Sequence, residues 1–409
     1  MNAYACSPDM GSEPGMAWNW CLNLAEYCEL HIITEGEFRG KIEAALPTLP
    51  QGKNMHFYYN PVSDKVRKMC WNQGDWRFYW FYKKWQQKTF QLALEIMRTN
   101  KIDIVHQLNM IGFREPGYLW KIEGVPFVWG PVDAKEKFPV GYLKGAGLRT
   151  KIFVRIKNLL TVIQLRRSKR VNKAIKRASI VISATTESRN SFKKYFNIDS
   201  PLLNETGCYP LKTVLKEENL TGVFNVLWVG KGDFRKRLDL AVRVISKMNN
   251  KSVKLHIAGI SDTVNCEELA MRLGISSQYI CHGIISHKDV IGLMQYSDLF
   301  LFTSVAEGTP HVVLEAIQNN LPVVCFDTCG QGDCVNEAVG IKIPLSNPEQ
   351  SVSDFADKIS YLYHHREVLK QLSANCSERQ EELSWKNKAR QMVGLYEKAL
   401  AGFQSADAE

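Results

Sequence analysis

With 409 residues the chain has room for two domains with separate cores, and its 45% apolar content is that of a globular protein. No run of 18 or more apolar residues argues for a membrane-crossing helix, and the amino terminus lacks the basic and apolar regions of a signal peptide. Eleven cysteines without CxxC or zinc-ligand spacing favour reduced thiols in a cytoplasmic protein, and a net charge of +10 without a zinc finger, RNP-like segment or basic zipper leaves a phosphorylated substrate, anionic lipid or nucleic acid as partner.

The chain opens on Ala3–Cys6 as the end of a short strand, a loop Ser7–Gly15, a helix over Met16–Tyr27 and a strand at Leu30–Thr34. Strand, glycine loop, helix and strand is the start of a Rossmann-like unit, but the spacing is not G-x-G-x-x-G and predicts no dinucleotide. Residues 54 to 90 carry Phe57, Tyr58, Tyr59, Trp71, Trp76, Phe78, Tyr79, Trp80, Phe81, Tyr82, Trp85 and Phe90 with lysines between them. A helix from Trp76 onward cannot bury all these rings, so some face a membrane interface or an acceptor. Asp103–His106 is a strand that places His106 at a usual site address, where a hydrogen-bonded structural histidine reads equally well. From Lys137 to Thr186 there is no acidic residue, and twelve Lys or Arg between Lys144 and Arg177 alternate with bulky apolar residues. A solvated face is the ordinary meaning of a charge run; this one favours anionic membrane over nucleic acid.

A second α/β unit begins at Phe224–Gly230, followed by Lys231, Arg235, Lys236 and Arg237 and a helix from Leu238. Repeated strands and helices follow, and Leu299–Thr303 reads as a buried parallel strand. Then come Glu307, Gly308, Thr309, Pro310, His311, Val312 and, on the helix, Glu315. Thr309 is expected to cap that helix with Pro310 at its first position. Gly330–Asp333 is expected as a loop. Two carboxylates near an anion-binding helix start suit hydroxyl groups attached to a phosphate, as in a nucleotide sugar, although solvated surface glutamates give the same spacing.

Glutamate, seven residues, glutamate, with Gly-x-Pro after the first, resembles the donor-site signature of family 4 glycosyltransferases, in a bacterial subgroup making surface polysaccharide. The resemblance implies an α/β GT-B fold, two Rossmann-like doubly wound domains facing a central cleft, and transfer of a sugar with retention. By the same resemblance Glu315 holds ribose hydroxyls, and Glu307 contacts the donor sugar near the reactive centre. Gly308 to Val312 grip sugar and phosphate, and Lys231 and Lys236 neutralise the departing diphosphate. Gly-Ser-Glu-Pro-Gly resembles the subgroup's amino-terminal loop and places Gly11 near the donor phosphates. His106 enters as the catalytic histidine, but relatives carry theirs two places further on, where this chain has Leu108.

The expected domains are 1–205 for the acceptor and 206–383 for the nucleotide sugar, with a closing helix 384–400 packing back on the first and a mobile tail at 401–409. The expected donor is a nucleotide diphosphate sugar without cofactor or metal. The acceptor is a glycan or lipid-linked glycan. Segment 144–177 would rest on anionic membrane at the inner face of the plasma membrane, with no nucleic acid bound. A phosphorylase of the same fold, or a non-catalytic basic lipid- or nucleic-acid-binding protein, is the rival reading.

Overall fold

The computed structural model describes residues 1–72, 75–135, 137–211, 222–261 and 264–407. They divide into two compact units. Met1–Glu136, Thr161–Thr206 and Trp385–Glu409 form the first; Lys137–Leu160 and Gly207–Ser384 form the second.

The first unit is built on β1 (Asn2–Ala3), β2 (Leu30–Thr34), β3 (Met55–Tyr59), β4 (Val105–Asn109), β5 (Phe127–Val132) and β6 (Ile180–Ser183). They pair in parallel in the order β3-β2-β1-β4-β5-β6. The order reverses between β1 and β4, and in open α/β sheets ligands bind outside the carboxyl ends of the strands at such a reversal. β1 is only two residues long and ends earlier than the expected strand. The helix after it, Ser12–Leu24, starts before Met16 because Gly11 stays extended and Pro14 fits the first turn, where no N–H is needed. In the aromatic helix Arg77–Thr99, Phe78, Tyr82 and Trp85 are buried at helical spacing. Trp76, Tyr79 and Trp80 are exposed, with Lys84 Nζ 3.6 Å from the Trp80 ring centre.

The closing helix Trp385–Asp407 also belongs to the first unit. Its Trp385 ring meets Trp20 edge-on at 5.6 Å, and Trp20 Nε1–H donates to the Glu205 carbonyl at 2.8 Å. Instead of a tail from Ala401, the helix continues to Asp407, with the Arg177 guanidinium 5.6 Å over the Phe403 ring.

The second unit repeats the plan. β7 (Phe224–Val229), β8 (Val253–Ala258), β9 (Tyr279–Cys281), β10 (Leu299–Phe302), β11 (Val323–Phe326) and β12 (Gly340–Ile343) pair in parallel in the order β12-β11-β10-β7-β8-β9. Both faces of the sheet are covered, which is why these strands read as continuous apolar runs. Leu299 and Leu301 enter one core with Val226, Trp228 and Ile257, whereas Phe300 and Phe302 enter the opposite core with Leu227, Val313 and Ile317. The reversal falls between β7 and β10.

Two further segments differ from expectation. Lys137–Leu160 belongs to the second unit rather than to the first domain. Tyr142 is buried there, its hydroxyl 2.6 Å from Ser351 Oγ, and Arg237 donates to its carbonyl at 2.5 Å. The expected loop at Gly330–Asp333 lies instead within a short helix, Cys329–Cys334, that turns back under the loop after β10.

Candidate functional site

The site in the second unit grows from the carboxyl ends of β7 and β10, the two strands at the reversal. After β7 the chain runs through Gly230 and Lys231 into a tight turn, Phe234–Lys236, capped by the Asp233 carboxylate accepting from the Arg235 amide at 2.9 Å. After β10 it runs through Thr303 to Pro310. Hydrogen bonds join the two loops. Thr303 Oγ1 receives the Trp228 indole N–H at 3.0 Å and lies 2.8 Å from the Lys236 carbonyl. The Val305 amide donates to the Arg235 carbonyl at 3.0 Å.

The stitching sets Lys236 Nζ 2.8 Å from Glu307 Oε1, with only 16% and 14% of the two side chains exposed. Ser304 Oγ–H donates to the same carboxylate at 2.5 Å, and Lys236 Nζ lies 5.0 Å from the Phe302 ring centre. The apolar floor and low exposure strengthen the attraction beyond that of a surface pair.

A third strand end backs the loop. The Glu307 amide donates to Cys329 Sγ at 3.3 Å, and the Gly330 amide donates to the Gly308 carbonyl at 2.9 Å. A Cβ on Gly330 would stand 2.5 Å from Thr309 Cα and 2.6 Å from the Gly308 oxygen, so only glycine permits this approach. The helix then begins at His311, with extended Pro310, rather than Thr309, as its cap residue (ψ 117°). The first turn still presents amide N–H groups and the positive end of the helix dipole toward the loop. Glu315, one turn on, has Oε1 3.1 Å from His287 Nε2.

The basic stretch separates into distinct roles. Arg235 is held by Asp233 at 2.5 Å and Arg237 by Asp239 at 2.7 Å, with Arg237 buried. Lys231 is exposed and has no ion-pair partner among the described residues. Lys231, Lys236, Glu307, Gly308, Thr309, Pro310, His311, Val312 and Glu315 all lie in this unit, on the segments that follow β7 and β10. Sequence reasoning missed Ser304, Cys329 and Gly330. Ser304 follows a recognisable strand and was within reach of a register argument; the other two come from the next strand and needed the topology.

Gly11 and His106 lie in the first unit. Gly11 is the exposed residue preceding the first helix. Glu13, in the first turn of that helix, accepts from the Ile111 amide at 3.0 Å, tying the helix start to the loop after β4, and burial raises its carboxyl above the usual range. These loops border a cavity of about 260 Å³ lined by Tyr4, Glu13, Glu35, Glu37, Phe38 and Trp71, among others. His106 does not meet it. Its Nε2–H donates to the Gly130 carbonyl at 2.6 Å, which leaves Nδ1 to accept from the Tyr396 hydroxyl at 2.6 Å. Fully buried and with both nitrogens engaged, it secures the closing helix; burial lowers its pKa to about 4. The catalytic assignment of His106 is therefore corrected to a structural one.

Among the described residues no three His, Cys, Asp or Glu side chains are grouped to hold a metal, and no helix is long and apolar enough to cross a membrane.

Residues 215–379, which contain the assembled site, match the family described as "Glycosyl transferases group 1". An uncharacterized glycosyltransferase of Methanocaldococcus jannaschii is 26% identical over 178 residues, 43% of this chain and 45% of that protein. The lipopolysaccharide glucosyltransferase WaaG of Escherichia coli is 30% identical over 139 residues, 33% of this chain and 35% of that protein. The matches thus span less than half of these curated relatives. Among solved structures, HepE of Anabaena in complex with UDP aligns over 96% of this chain and 98% of its own, at 14% identity and a TM-score of 0.61. The lipopolysaccharide outer core galactosyltransferase WaaB aligns over the same shares, 96% and 98%, at 14% identity and a TM-score of 0.63. The fold is GT-B, and the resemblance to glycosyltransferases drawn from the motifs holds.

Proposed function

We propose that the chain is a retaining glycosyltransferase that moves a hexose-like sugar from a nucleotide diphosphate sugar to a hydroxyl of a glycan or lipid-linked glycan in surface polysaccharide biosynthesis. The observation that carries this reading is the Lys236–Glu307 pair at the reversal of the second sheet, beside the start of the His311–Gln318 helix. Fixed cations there suit the charge that develops on a departing diphosphate. Lys231 and Lys236 meet that charge, the backbone from Gly308 to Val312 grips phosphate and sugar, and Glu315 takes the ribose hydroxyls. Glu307 contacts the sugar near its reactive carbon and needs no covalent bond to it. The bond from that carbon to the diphosphate oxygen breaks, the acceptor oxygen bonds on the same face, and the acceptor proton passes to the leaving phosphate. No step requires a histidine, in keeping with the structural role of His106.

Likeness to a protein solved with UDP supports a nucleoside diphosphate as the leaving group. In this proposal no metal or further cofactor takes part. The acceptor enters the first unit, where the cavity beside Glu13 and Trp71 offers aromatic walls and carboxylates to sugar hydroxyls. The protein works in the cytoplasm, in peripheral contact with anionic membrane at the inner face of the plasma membrane through segment 144–177. The test is release of nucleoside diphosphate from a panel of nucleotide sugars in the presence of membrane glycan extract. Release that Lys236→Ala abolishes supports the reading, and release that is unchanged in that variant contradicts it.

A further inference from the structure

Helix Leu148–Arg167 carries bulky apolar side chains on its exposed side, where a surface helix in water carries polar ones. Leu148, Ile152, Phe153, Ile156, Leu159 and Leu160 are each between 48% and 73% exposed. At about 100° per residue, Ile152, Phe153, Leu159 and Leu160 lie within about 60° of a line through Ile156. From Ile152 to Leu160 they form one stripe about 12 Å long at 1.5 Å per residue. The opposite side is pinned: Asn158 accepts from the Phe138 amide and donates to the Phe138 carbonyl, both at 2.9 Å. The stripe therefore has a fixed direction.

Charge lies on the same surface. Arg149 continues the line of Ile156, and Arg155 and Lys157 stand about 100° to either side of it. All three are exposed, and no acidic residue occurs from Lys137 to Thr186. Nucleic acid would meet the cations but leave six bulky apolar side chains facing phosphates and sugars. A second copy would bring the same cations against each other. A phospholipid leaflet matches both features, with hydrocarbon for the stripe and anionic phosphates for side chains that snorkel beside it.

We propose that the Leu148–Leu160 face inserts in the plane of an anionic leaflet, with Ile152, Phe153, Ile156, Leu159 and Leu160 among the acyl chains and Arg149, Arg155 and Lys157 at the phosphates. This rests on the membrane part of the reading above and sharpens it, because insertion, rather than electrostatic attachment alone, anchors the enzyme beside a lipid-linked acceptor.

Sedimentation with vesicles of phosphatidylglycerol and phosphatidylcholine, compared with phosphatidylcholine alone, tests it. The chain is expected to bind the anionic vesicles, and Ile156→Asp/Leu159→Asp to weaken binding about tenfold or more. Arg149→Gln/Arg155→Gln should remove the preference for anionic lipid. Because these side chains are exposed, melting temperature and nucleotide-sugar thermal shift should not change in either variant. Vesicle binding without any donor shift would support the insertion and contradict the transferase reading. Equal vesicle binding by the aspartate variant overturns the inference. So does absence of vesicle binding, whether the chain instead binds RNA or forms a dimer that the aspartates split.

Discussion

Lys236 and Glu307 reach their 2.8 Å ion pair from the ends of β7 and β10, which are neighbours in the sheet but are separated in sequence by two further strands. Each loop hydrogen-bonds the other before the side chains meet, so the pair is held ready rather than assembled on binding. Preorganised charge of this kind contributes most where charge develops during reaction.

Replacing Lys236 by Met removes that charge and leaves the Glu307 carboxylate without its cation. Turnover should fall by about two to three orders of magnitude. Lys236→Arg should recover part of kcat. Steady-state kinetics together with a melting curve separate this from unfolding, since the catalytic loss should far exceed any fall in folded fraction.

Gly330→Ala tests the support beneath the donor loop. Its Cβ would stand 2.5 Å from Thr309 Cα, so the loop must shift, at about 1–3 kcal/mol. Donor affinity should fall with stability. Gly292, inside helix His287–Tyr296, has nothing within 4 Å of its Cβ position, and Gly292→Ala should instead stabilise by about 0.5–1 kcal/mol. Urea titrations of the two variants give opposite signs.

The pH dependence of stability should carry the mark of His106. Its pKa is lowered to about 4 in the fold, against 6.5 for an ordinary histidine. Between those values the unfolded chain takes up a proton that the folded chain does not, so stability falls as pH drops through that window. In His106→Gln, melting temperatures between about pH 7 and pH 4 should fall less steeply. A residual slope remains from His256, also lowered to about 4, by burial and then His282.

Much of this was legible in the sequence because local pattern and packing agree. Leu299–Phe302 and Val323–Phe326 are apolar runs buried on both faces, and the Glu307–Glu315 spacing survives folding because strand, loop and helix are contiguous. What escaped depends on partners distant in the chain. His106 reads as a site residue until Tyr396 closes over it. Residues 137–160 read as first-domain until Tyr142 meets Ser351. Pro310 reads as the first helical residue, yet its extended backbone makes it the cap.

Trp385→Ala should cost about 3–5 kcal/mol in the first unit, because the ring is buried against Trp20 and leaves a cavity. Trp385→Phe should cost less. Denaturant unfolding followed by near-ultraviolet circular dichroism reports the loss.

The most direct measurement of the donor site is thermal shift of the purified chain with a panel of nucleotide diphosphate sugars, repeated on Glu315→Ala. The account predicts that at least one nucleotide sugar raises the melting temperature of the native chain and that the alanine variant loses this shift while melting normally on its own. No shift with any donor, or an undiminished shift in Glu315→Ala, would contradict it.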